Sequence, residues 1–121
     1  MQLTIDRAEL LKALKLVGRG IPPRSTLPAL RTFNLSAQHG QLRLAATDLE
    51  TYIRQTVPAE VNETGALCVG TLFAEFISQV SSDEVTMRSE GNSLTVKCER
   101  NQARFPTIDA AEFPAWPEQF A

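Results

Sequence analysis

Apolar and polar residues alternate along most of this chain, and the alternation is twice interrupted by a helical period. Residues 2–5 (QLTI) alternate with a period of two, the mark of a short strand. Asp6 follows as a helix N-cap, with Glu9 three residues on in the manner of a capping box. The spacing predicts a helix over 7–17, with Leu10, Leu14 and Val17 on one face, Leu11 beside them, and Gly18 and Gly20 at its end. The stretch GRGIPPRSTLPAL, with two glycines and three prolines, predicts a loop. Residues 31–37 and 41–46 alternate again on either side of His39-Gly40 and read as a hairpin with Phe33, Leu35, Leu42 and Leu44 inward. Residues 48–57 carry Tyr52 and Ile53 into a third strand, ended by Pro58.

The plan then repeats. Residues 66–69 (ALCV) read as a strand, and 71–81 as a helix with Leu72, Phe73, Phe76, Ile77 and Val80 on one face. Strands over 84–89 and 93–98 flank a Gly91-Asn92 turn, and a last strand starts over 103–108. Each half is therefore strand, helix, three strands. The hairpins NLSAQHGQLRLAA and TMRSEGNSLTVKC match, with Leu42 and Leu44 against Leu94 and Val96. Such a repeat predicts a pseudo-twofold α+β fold, two β-α-β-β-β halves with both helices side by side on one face of an antiparallel sheet.

Composition narrows the class. The 121 residues are 43% hydrophobic and 21% charged, which suits one soluble globular domain. No apolar run reaches the roughly 18 residues a membrane helix needs, and the N-terminal segment carries charges inside its apolar run; a cytoplasmic protein is expected. Cys68 and Cys98 lack any metal-ligand spacing and are expected as buried free thiols in strands. Phosphate-loop, zinc-protease and nucleophile-elbow motifs are missing. His39 reads as a turn residue. Asp48 and Glu50, two apart, read as one face of a strand, with Asp48 on capping or turn duty. No catalytic residue, metal or cofactor is expected, and an enzyme, for instance a small hydrolase, has no constellation to stand on.

One charged feature is left. Lys12, Lys15 and Arg19 fall in a stripe opposite the apolar face of the first helix, and Arg24 follows in the loop. These four cations lie within thirteen residues with no acid between Lys12 and Arg24, although the chain as a whole carries −2. Cations so spaced suit successive phosphates without reading bases; an ordinary solvated helix face is the other reading of the same stripe. No aromatic residues interleave for stacking on single strands.

The start QLTIDRAELLKAL, the loop PPRSTLPAL, the segment LAATDLE and the closing DAAEFP occur in the order and near the spacing of the bacterial DNA polymerase III β sliding clamps. Across residues 1–117 the chain resembles the N-terminal domain of that family. The resemblance implies a DNA replication processivity factor without catalytic activity. In that family three such domains per chain form a ring-shaped homodimer that encircles double-stranded DNA and tethers the replicative polymerase. It implies DNA-binding roles for Arg24, Lys12 and Lys15, to which the helical stripe adds Arg19. It also places Phe105, Ile108, Leu72 and Phe73 at a subunit joint, plain core being the other reading for Phe105 and Ile108. DNA polymerase III and the clamp loader would bind through later domains. In the family the second helix often begins with basic residues, where this chain has Leu72 and Phe73, and its outward face here is Glu75, Ser78, Gln79 and Ser82. The domain is expected over 1–114, with 115–121, including Trp116 and Phe120, as the start of an interdomain linker. The alternative is a clamp-fold protein-interaction module that does not encircle DNA.

Overall fold

The computed structural model describes residues 1–115; the expected linker residues Trp116 and Phe120 lie outside the described residues. Strand β1 (Gln2–Asp6) runs into helix α1 (Arg7–Val17). Asp6 holds extended dihedrals and its carboxylate accepts from the Glu9 N–H at 2.9 Å, a cap worth about 1 kcal/mol. The helix buries Leu10, Ala13, Leu14 and Val17. Each large side chain among them contributes roughly 1.5–3 kcal/mol by leaving water. A 3-10 turn over Gly18–Gly20 follows, since a Cβ on Gly20 would sit 3.2 Å from the Ala46 carbonyl oxygen and the chain must pass that close. A second 3-10 turn, Pro28–Arg31, ends the loop.

Strands β2 (Thr32–Gln38) and β3 (Gln41–Thr47) form the first hairpin, turned by His39 and Gly40, both at positive φ. Strand β4 (Tyr52–Pro58) begins later than the alternation suggests. Residues 48–51 form a loop, so Asp48 and Glu50 do not share a strand face. Pro58 is also not the end of the extended run: a short strand, β5 (Glu60–Glu63), follows at once. The second half has β6 (Gly65–Gly70), α2 (Leu72–Gln79), β7 (Glu84–Glu90), β8 (Ser93–Cys98) and β9 (Asn101–Asp109).

The strands lie in the order β4-β3-β2-β6-β9-β8-β7-β1-β5, and every pairing is antiparallel. The halves are interlocked, because β1 pairs with β7 of the second half and β6 with β2 of the first. Strand β9 pairs with β8 up to Pro106 and with β6 from Thr107. The run β4–β5 does the same in the first half, pairing with β3 up to Pro58 and with β1 from Glu60. A proline, which has no N–H to give a ladder, stands at each change of partner. Since β4 and β5 are the two ends of the order and one stretch of chain, the sheet closes on itself.

Both helices lie over one contiguous core, to which α1 gives Leu10, Leu14 and Val17 and α2 gives Phe73 and Ile77. They run antiparallel. Arg7, at the start of α1, donates from Nε to the Val80 carbonyl at 2.8 Å just past the end of α2. Lys15 and Gly18, at the other end of α1, share a cleft with Thr71, Ala74 and Glu75 at the start of α2. Cys68 and Cys98 are buried and free, in β6 and β8, and burial pushes both thiols above their ordinary pKa.

Candidate nucleic-acid interface

Helix α1 presents Lys12 and Lys15 to solvent because its buried side is fixed by Leu10, Ala13, Leu14 and Val17. Arg19 is exposed in the 3-10 turn that prolongs the helix, and Arg24 is exposed in the loop beyond. Glu9 and Leu16 are the other large exposed side chains of α1. Among the described residues none of the four cations forms an ion pair; the salt bridges there are Met1–Glu63 and Arg88–Glu90. The stripe is therefore not taken up by intramolecular pairing and is open to anions from outside.

The loop 47–51 lies close by. The turn holding Arg19 packs on β3 and β4, with Gly20 against Ala46 and Ile53. Asp48 caps this loop: Oδ1 accepts from the N–H groups of Glu50 at 2.9 Å and Thr51 at 2.7 Å. These two bonds, that to Thr51 the stronger, hold the carboxyl below its ordinary pKa. Thr47 Oγ1 accepts from Leu49 N–H and donates to Thr51 O, which fixes Leu49 at φ 80° with 52% of its surface exposed. Neither the turn role of Asp48 nor the strand reading of its neighbours hinted at this left-handed leucine.

A second surface lies where β6, α2 and β9 meet. A groove of about 520 Å³ is lined by Leu72, Phe105 and Ile108, with Arg31 and Thr107 on its polar side. Leu72 is 67% exposed. The Phe105 ring is half-buried, standing edge-on to Phe73 and Phe76 with centroids 5.9 Å apart in both pairs. Phe73 needs correcting against the sequence expectation. It is fully buried, on the core side of α2, and offers no surface to a joint. Its ring supports Phe105 from behind. Helical geometry explains the split, because adjacent positions 72 and 73 point about 100° apart.

With that geometry in hand, the class is set by comparison. A family model described as "DNA polymerase III beta subunit, N-terminal domain" matches residues 1–117, and the chain belongs to that family. The beta sliding clamp of Streptomyces coelicolor is 31% identical over 119 residues, covering 98% of this chain and 32% of that protein. The beta sliding clamp of Escherichia coli is 31% identical over 117 residues, covering 94% and 32%. Among solved structures, the DNA polymerase III subunit beta of Pseudomonas aeruginosa superposes with TM-score 0.92 at 32% identity, over 98% of this chain and 33% of that one. The sliding clamp of Caulobacter crescentus superposes at 0.93, with 30% identity and 98% and 33% coverage. The chain thus spans about a third of the length of the relatives it matches. The clamp fold and its two-helix, antiparallel architecture are as the sequence pattern and the resemblance imply.

Proposed function

We propose that this chain serves as the N-terminal domain of a replication sliding clamp, a non-catalytic factor that encircles duplex DNA in the cytoplasm and tethers DNA polymerase III. The observation that carries the reading is the unpaired cationic stripe. Lys12, Lys15, Arg19 and Arg24 stand exposed and without ion pairs among the described residues, in a chain whose net charge is −2. Their role is phosphate contact without base readout, since a ring that slides must grip every sequence alike. Leu72, Phe105 and Ile108 form the apolar side of a joint to a second subunit, with Phe73 bracing Phe105. Polymerase and clamp loader engage later domains, and residues beyond 114 lead towards them.

A second reading, a clamp-fold interaction module that does not encircle DNA, draws on α2, which carries no cation. Retention of the full-length protein on nicked circular but not linear DNA separates the two. The stripe is tested with Lys12→Ala and Arg24→Ala together, by fluorescence anisotropy on a labelled duplex over a range of salt. The double variant should bind more weakly, with a salt slope lower by about two, at about 0.9 for each phosphate no longer neutralised. An unchanged slope would reduce the stripe to a solvated helix face.

A further inference from the structure

The internal repeat makes a comparison possible inside one chain. Helices α1 and α2 bury equivalent residues: Leu10, Leu14 and Val17 correspond to Phe73, Ile77 and Val80. That register puts Glu75 where α1 has Lys12, and Ser78 where it has Lys15. Glu75, Ser78 and Gln79 are exposed, as Lys12 and Lys15 are. The pseudo-twofold thus sets a carboxylate against one lysine, Lys12, and a neutral serine against the other, Lys15. No lysine or arginine occurs between Arg54 and Arg88, so nothing local offsets Glu75 from its own half.

A cation that lines a cleft with Glu75 lies across the helix pair. Lys15 and Glu75 both line the cleft of about 300 Å³ between α1 and α2, whose floor is Leu11, Leu14, Ile21, Phe33 and Ala74. They stop short of ion-pair distance. Both side chains are long, flexible and exposed. A unit charge held over an apolar floor is screened less than one surrounded by water. When phosphate approaches Lys15, Glu75 therefore competes with it for the same ammonium.

We propose that Glu75 weakens the grip of this domain on duplex DNA by competing with phosphate for Lys15, so that the cations of α1 and the single carboxylate of α2 oppose each other on one DNA-facing surface. The proposal rests on the phosphate-contact reading above. A ring that must slide gains from such a counterweight, because each phosphate contact has to be released as readily as it is made.

The test is duplex affinity by fluorescence anisotropy at low ionic strength, on the whole chain, for wild type, Glu75→Gln, Lys15→Ala and the double variant, each checked for folding by circular dichroism. Glu75→Gln should tighten binding on the order of threefold, within the range of interactions between exposed charges. It should also steepen the salt slope by up to about 0.9, as Lys15 is freed for phosphate. Glu75→Asp should keep wild-type affinity, and on the Lys15→Ala background the gain should vanish. Unchanged affinity in Glu75→Gln, or a gain that survives Lys15→Ala, would overturn the proposal. If Lys12→Ala with Arg24→Ala still weakens binding in the same series, that failure belongs to Glu75 alone. If no variant alters binding, the phosphate-contact reading itself has failed.

Discussion

Replacing Phe73 with alanine separates its two possible duties, core packing and subunit contact. The side chain is fully buried, so truncation removes apolar burial and leaves a cavity beneath α2. Losses of that kind run to about 3–5 kcal/mol. The chain has 121 residues, and domains hold roughly 0.05–0.15 kcal/mol per residue, so its stability is about 6–18 kcal/mol. Phe73→Ala thus removes a large fraction of it without unfolding the protein at room temperature. Part of the loss comes from the edge-on contact with Phe105, since such ring pairs are worth about 0.5–1.5 kcal/mol beyond area. A double-mutant cycle with Phe105→Ala should recover a coupling of that size. Urea unfolding followed by circular dichroism reads both numbers, provided the slope against urea stays constant across the variants. A loss below about 1 kcal/mol for Phe73→Ala, the size of an ordinary surface change, would refute the assignment to the core.

Two predictions concern the loop beside the cationic stripe. Leu49→Gly should raise the urea midpoint. A leucine at φ 80° costs roughly 1–2 kcal/mol, glycine returns about 0.5–1 kcal/mol of that as extra unfolded-state freedom, and the exposed side chain loses little packing; a drop in stability of more than about 1 kcal/mol would contradict this account. Asp48→Asn should flatten the acid limb of the stability profile. The folded pKa of Asp48 is depressed by bonds from Thr51 and Glu50, so its contribution is present above the ordinary aspartate value of about 3.9 and is lost as pH falls through the lower folded value. Urea midpoints of wild type and variant, measured from neutral pH downward, should therefore converge in acid, and parallel profiles would refute the assignment.

The helices and hairpins were legible because strong local signals agree with the fold. Asp6 and Glu9 fix the start of α1, and glycine turns fix both hairpins. The missed strand β5 had a weak signal, since Val61 is its one partly buried residue and its partner β1 lies far away in sequence. Pro58 read as a terminus because the sequence cannot show that the ladder changes partner there. The exchange of first strands between halves is equally invisible to a local pattern. At the candidate site, periodicity sufficed for Lys12 and Lys15, whose exposure follows from the buried side of their own helix. It failed for Phe73, since an apolar helix face does not say which of its members reach the rim. Glu75 was legible as outward but not as the neighbour of Lys15, because only the antiparallel packing of α1 and α2 brings them to one cleft.

The exchange of strands also governs the order in which this chain can be finished. β1 leaves the ribosome first, yet its long partner β7 begins at residue 84, and β6 must return to a β2 already waiting for it. Neither half can complete its ladder alone, so the repeat in sequence is not a pair of independent folding units. Until the second half is synthesised, β2 and β1 present open edges, the state in which newly made strands pair with the wrong chain. Pairings of such sequence separation also close slowly. A cut between Glu63 and Gly65, which would look harmless from the repeat, would yield two fragments that need each other to fold.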